Sequence, residues 1–195
     1  LDDVLFRGFG AGKREKDHGG GAMKEQHPTV RWAKMVIESF IKRGQIPELP
    51  EDLPAQMLQS QAGVFVSLHG PGNTLRGCIG TIVPTKKNVA MEIRSNAIAA
   101  AVNDPRFEPL HPSELEGLEV SVDLLGPPEP VKDSSELDPK KFGVIVENGF
   151  KKGLLLPDLE GVDTVEQQIQ IARKKAGIWE DEPVQLYRFT VERFH

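Results

Sequence analysis

Residues 63–82 constrain the fold more than any other stretch. Gly63-Val64-Phe65-Val66-Ser67-Leu68 reads as a strand. His69-Gly70-Pro71-Gly72-Asn73 is turn chemistry, and Leu75 to Ile82 reads as the strand that returns. Such a hairpin commits the chain to antiparallel pairing before any other element is placed. Similar signals recur downstream. Residues 142–147 and 153–156 read as two more strands, with Asn148-Gly149 in the turn between them. Residues 118–125 alternate, with Leu118, Val120, Val122 and Leu124 against Glu119, Ser121 and Asp123, until Pro127, Pro128 and Pro130 break the run. The last strand spans about 184–194.

Three helices separate these strands. Over 28–43, Val30, Ala33, Val36, Ile37, Phe40 and Ile41 form one apolar stripe; Pro28 suits its start and Gly44 its stop. Pro47, Pro50 and Pro54 mark the connection that follows. Residues 88–102 carry Val89, Ile93 and an alanine-rich end, stopped by Asp104-Pro105. Thr164-Val165-Glu166-Gln167 is a capping box that opens a helix to about Ala176, with Gly177 as its stop. The order α-β-β-α-β-β-β-α-β predicts an α+β fold with a largely antiparallel sheet packed against helices.

Residues 1–27 read differently, with six glycines mixed among charges and little periodicity. They read as an expression scar or a linker, with Met23 near a native start, or else as an ordered native extension. Mobility is expected there unless a partner holds them. The domain proper is placed at 28–195.

Composition excludes several classes of function. The net charge is −5, and the pairs Lys86-Lys87, Lys151-Lys152 and Lys174-Lys175 are scattered, which argues against a nucleic-acid binder. No apolar run is long enough for a membrane span and no secretory signal is visible. The single cysteine, Cys78, excludes an intrachain disulfide and a sulfur-ligated cluster built from this chain alone. A reducing, cytoplasmic setting is therefore expected. No dinucleotide fingerprint, phosphate loop, metalloprotease or EF-hand pattern occurs. No cofactor or metal is expected.

Cys78 lies in Leu75-Arg76-Gly77-Cys78-Ile79-Gly80. On a regular strand Arg76, Cys78 and Gly80 share one face, with Arg76 ~6.5–7 Å along the strand from Cys78. Such a guanidinium favours the thiolate. Gly77 and Gly80 would leave a shallow surface beside the thiol for a ligand. Equally, a free cysteine is often buried as a small apolar group. A nucleophilic thiol needs a base, and the candidates are His18, His27, His69, His111 and His195, of which His69 and His111 lie in loops near the motif. Arg106 could bind an anionic group bidentately or pair with Asp104.

The hexapeptide resembles the signature of the AMMECR domain family. Other segments agree in order: Gly63-Val64-Phe65-Val66, Asn103-Asp104-Pro105-Arg106-Phe107, Leu118-Glu119-Val120-Ser121-Val122, Gly153-Leu154-Leu155-Leu156-Pro157, Lys175-Ala176-Gly177 and Leu186-Tyr187-Arg188-Phe189. The resemblance covers about 28–195. Many members carry a glutamine after the Leu-Leu-Leu-Pro run and a second cysteine before Lys-Ala-Gly. Here Asp158 and Ile171-Ala172-Arg173-Lys174 stand instead, which disfavours a mechanism needing two cysteines in one chain.

The resemblance implies larger and smaller lobes with Cys78 near the cleft between them. It would place Glu119, with Ser121 on the same strand face, in that cleft, where Glu119 could pair with Arg76 or Arg106. It also implies Memo-like and radical S-adenosylmethionine proteins as partners, in the AmmeMemoRadiSam system. Two functions follow. One is a cysteine-dependent enzyme or enzyme subunit, with Cys78 and Arg76 as the catalytic pair and Gly77, Gly80, Arg106, Glu119 and Ser121 around the substrate. The other is a non-catalytic binding module or scaffold.

Overall fold

The computed structural model describes residues 26–195. The readings of the N-terminal extension lie outside them for residues 1–25, Met23 and His18 included. The fold is α+β. In chain order the elements are α1 (Pro28–Arg43), α2 (Ala55–Gln59), β1 (Gly63–Gly70), β2 (Thr74–Thr81), α3 (Val89–Val102), β3 (Glu119–Leu125), β4 (Glu129–Pro130), β5 (Gly143–Asn148), β6 (Lys151–Leu155), α4 (Val165–Ala176), β7 (Gln185–Phe189) and β8 (Val191–Phe194). The one expected sheet is corrected to two sheets of four strands, ordered β2-β1-β3-β8 and β4-β7-β5-β6. The pairs β1–β2, β4–β7, β5–β6 and β5–β7 are antiparallel. The described chain divides into two compact units, 26–122 with 194–195, and 123–193. No helix among the described residues is long and apolar enough to cross a membrane.

In the first unit, α1 begins where His27 accepts a hydrogen bond from Thr29 N–H and ends at Gly44 in the left-handed conformation. Its stripe of Val30, Trp32, Ala33, Val36 and Ile37 is buried. Trp32 Nε1 donates to the Ala90 carbonyl at 2.8 Å, which fixes α1 against α3. Val64, Val66 and Leu68 of β1 meet the same core. Helix α3 is capped by Asn88, whose side chain accepts from Met91 N–H.

Glycine sets how closely helices approach strands. A Cβ on Gly77 would lie well inside contact distance of the Ala100 carbonyl of α3. In the second unit Gly153 of β6 has the same relation to the Ala172 carbonyl of α4. Each sheet also places a phenylalanine ring over a cross-strand glycine, Phe65 over Gly80 and Phe189 over Gly143.

The second unit packs Val144, Val146, Leu155, Val162, Ala172 and Ile178 together beneath α4. Its capping box is formed as the sequence predicts, with Thr164 and Gln167 exchanging hydrogen bonds, and Gly177 closes the helix in the left-handed conformation. The final strand is corrected to two: Thr190 separates β7 from β8, which belong to different sheets. Gly126 N–H donates to the Thr190 carbonyl, and the Thr190 hydroxyl fills the space where a Cβ on residue 126 would lie. The proline-rich connection after α1 also holds a short helix, α2, that periodicity over five residues is too brief to reveal.

Candidate functional site

Strand β2 stands at the end of its sheet, so its outer backbone groups face no other strand among the described residues. Its pairing with β1 runs in one register from Val64↔Thr81 to Leu68↔Gly77 and resumes at His69↔Leu75. Arg76 is left without a partner: it is the extra residue of a β-bulge. A bulge interrupts alternation and re-aims a side chain. The expectation that Arg76 serves Cys78 from a shared strand face is corrected accordingly. Its guanidinium instead grips the 108–114 segment, with Nε to Glu114 Oε1 at 2.7 Å, NH2 to Glu114 Oε2 at 3.1 Å and NH1 to the Glu108 carbonyl at 2.8 Å. The Arg76 hydrogen bond, helped by the His111 backbone N–H, holds the Glu114 carboxyl below its ordinary range.

Cys78 is half-buried and faces Ser67 across the hairpin. Its thiol sulfur accepts a hydrogen bond from the Ser67 hydroxyl at 3.2 Å. The Cys78 N–H points away from β1 and donates to Asp104 Oδ2 at 2.8 Å. The pair is therefore of the non-hydrogen-bonded kind, in which side chains come closest. Asp104, 2% exposed in its side chain, also accepts from Arg106 Nε at 2.9 Å, Arg106 NH2 at 2.7 Å and Arg106 N–H at 3.1 Å. The Arg106 hydrogen bond outweighs the opposing effect of burial, and the two backbone N–H groups add to it. The Asp104 carboxyl is thereby held far below the usual carboxylate range. Arg106 NH2 also approaches the Cys78 carbonyl at 3.4 Å. An aspartate and an arginine on one short loop, paired as carboxylate and guanidinium, thus occupy the sheet edge at Cys78, in the place a further strand would take.

The Arg106 side chain is 54% exposed and its NH1 makes no hydrogen bond among the described residues. Its guanidinium lies 5.3 Å from the centre of the Phe107 ring, within cation–π reach. Arg76 approaches the same ring at 6.0 Å.

Other predicted site residues fall elsewhere. The open shelf expected at Gly77 and Gly80 is corrected: the Phe65 ring fills the space at Gly80, and α3 closes on Gly77. Glu119 makes neither expected pair, because Arg76 is engaged by Glu114 and Arg106 by Asp104. It lines a separate hollow of about 370 Å³ with Lys34, Ile37, Glu38 and Leu115. Ser121 is buried, against the expectation of a polar strand face. His27 caps α1 and stacks on Phe194 with ring centres 3.9 Å apart, and His111 caps the turn at 112–114. Among the described residues no histidine is hydrogen-bonded to the thiol, and no group of three or more His, Cys, Asp or Glu could hold a metal ion.

The AMMECR1 family model matches residues 30–194, nearly the whole of the described chain. The chain belongs to the AMMECR1 family. A Thermotoga maritima relative is 58% identical over 171 residues, covering 87% of this chain and 98% of that protein. A Clostridium acetobutylicum relative is 46% identical over 179 residues, covering 91% of this chain but 38% of that protein. The crystal structure of an uncharacterized Pyrococcus horikoshii protein superposes with a TM-score of 0.78 at 35% identity, covering 85% of this chain and 88% of that one. The hexapeptide at 75–80 lies on a bulged edge strand.

Sequence reasoning missed Ser67, Glu114 and the central place of Asp104. Asp104 had a signal, being two residues from Arg106 at a helix end. Ser67 had none. A regular hairpin counted from Gly70↔Thr74 sets Cys78 opposite Val66, and only the bulge shifts it to Ser67.

Proposed function

We propose that this chain is a binding module that seats an anionic group, a carboxylate or a phosphate, on Arg106 beside Cys78. The observation that carries the reading is the state of Arg106. Asp104 fixes its orientation, while NH1 and half of the side chain face outward with donors unspent. A guanidinium immobilised in advance loses less freedom on binding and presents a planar fork suited to such groups. Cys78 and Phe107 form the rest of the contact surface. This favours the scaffold reading over the enzyme reading, because Arg76 is spent on Glu114 and the thiol's partner is a hydroxyl rather than a base.

The second reading keeps Cys78 as nucleophile in a modification system with Memo-like and radical S-adenosylmethionine partners. One observation favours it: the thiol is half-buried rather than sealed in the core. The larger size of the Clostridium relative is consistent with additional domains acting alongside this one.

Titration of ¹⁵N-labelled protein with inorganic phosphate and with succinate tests the first reading. The Cys78 and Arg106 amide resonances are expected to move in the wild type and to stay still in Arg106→Gln. Equal movement in both proteins, or none in either at millimolar ligand, rejects it. Iodoacetamide tests the second: a thiol that resists alkylation until the protein unfolds removes the nucleophile.

A further inference from the structure

The second unit exposes large apolar side chains that its own folding does not use. Trp179 is 75% exposed and Phe150 is 107% exposed, with Ile171 at 37%. These side chains ride on a braced backbone. Trp179 N–H donates to Glu182 Oε1 at 2.8 Å, and its carbonyl accepts from Arg173 NH1 at 2.6 Å. The same arginine nitrogen reaches the Glu182 carbonyl at 3.0 Å. Glu182 also takes Asn148 Nδ2 at 3.0 Å and Lys151 Nζ at 2.9 Å, so one carboxylate ties the turn that carries Phe150 to the loop that carries Trp179. Beside Trp179 lies a hollow of about 540 Å³ whose walls include Ile171, Ile178, Lys174 and Gly177. A rigid exposed tryptophan over an aliphatic hollow is the arrangement that dominates protein interfaces.

Charge indicates what fits there. Lys174 and Lys175 make no ion pair among the described residues, and Arg173 spends NH1 on two neutral carbonyls. Of the charged residues that line the hollow, Arg173 and Lys174 face Glu180 alone, while Glu182 is matched by Lys151. A local positive excess stands out in a chain of net charge −5. Trp179 is the one aromatic side chain that lines the hollow, so the face lacks the succession of stacking platforms that a nucleic-acid strand uses, and the cations favour a polypeptide.

We propose that this face of the second unit docks a partner protein through an acidic segment, one bulky apolar side chain of which seats in the hollow against Trp179. The site is separate from Cys78 and does not depend on the reading given for it.

A displayed library of random 12-residue peptides, selected in parallel on the wild type, Trp179→Ala and the Lys174→Glu/Lys175→Glu double variant, tests it. Trp179 is largely exposed, so Trp179→Ala is expected to keep the wild-type fold, checked by circular dichroism. Wild type is expected to enrich acidic peptides bearing Leu, Ile, Phe or Trp. Synthetic copies should lose at least tenfold in affinity for Trp179→Ala and severalfold for the double variant. A pool that is neutral or basic, a pool unchanged by Trp179→Ala, or no enrichment at all overturns the proposal. So does preferential binding of oligo-dT, or a wild-type dimer that Trp179→Ala makes monomeric in sedimentation, since each names a different occupant.

Discussion

Replacing Asp104 with alanine is expected to destabilise the first unit by about 2–4 kcal/mol at neutral pH. The substitution deletes a carboxylate that is 2% exposed and accepts four hydrogen bonds. The Cys78 and Arg106 backbone N–H groups lose their partner, at about 1 kcal/mol or more each where water cannot reach them. The ion pair adds little, since the Arg106 side chain is 54% exposed and can be solvated. The effect carries a pH signature. The Asp104 carboxyl is held below its unfolded value, so its stabilisation is complete above about pH 4 and fades as pH falls further. The gap between wild type and Asp104→Ala should therefore be widest near pH 7 and narrow steadily below about pH 4. Urea titration followed by Trp32 fluorescence measures it, because Trp32 is 1% exposed within the first unit. A Trp179→Phe background removes the second emitter. A gap under about 0.5 kcal/mol at pH 7, or one that does not change with pH, would refute the argument that Asp104 holds the β2 edge.

Gly77→Ala should destabilise by roughly 3 kcal/mol or more, because the added methyl meets the backbone carbonyl of Ala100, which cannot rotate away; thermal melting reads it, and a loss under about 1 kcal/mol means that α3 shifts freely. Arg76→Ala should leave the rate of Cys78 alkylation by iodoacetamide within about twofold while lowering the melting temperature, since Arg76 braces the 108–114 segment; a tenfold slower reaction would restore it as the thiol's electrostatic partner. Burial lowers the His27 pKa, and its Nδ1 must stay unprotonated to cap α1, so wild-type stability should be full above about pH 6.5 and decline as pH falls below it. His27→Asn keeps a capping oxygen without that titration, and an identical acid limb in both proteins would exclude the cap as its source. Glu92→Gln should cost about 2 kcal/mol or more by chemical denaturation: burial alone would raise the Glu92 pKa, yet hydrogen bonds from Thr81, Thr85 and Lys86 lower it, so the site is built for the anion, and a neutral result would contradict that.

The sequence by itself determined the local elements. Capping residues, glycine stops and apolar stripes act over a few residues, so α1, α3, α4 and the β1–β2 hairpin are legible within a residue or two. The hexapeptide around Cys78, with the segments that agree in order with it, likewise pointed to the family. Assignment of strands to sheets was not legible, because a single break at Thr190 sends consecutive segments into different sheets and costs the sequence no pattern. Nor was the burial of Ser121 and Asp123, whose polarity suggests a solvent face until both sides of β3 are covered. The candidate site shows the same division. Residue types at Arg76, Cys78 and Arg106 could be read, but their partners could not. An unpaired Arg76 slips the hairpin register by one residue, brings Ser67 rather than Val66 to the thiol and turns the guanidinium toward Glu114. Alternation along a strand is a local rule, whereas a bulge is set by what the edge must pair with, and that is fixed only when Asp104 and Glu114 arrive from 26 and 38 residues away.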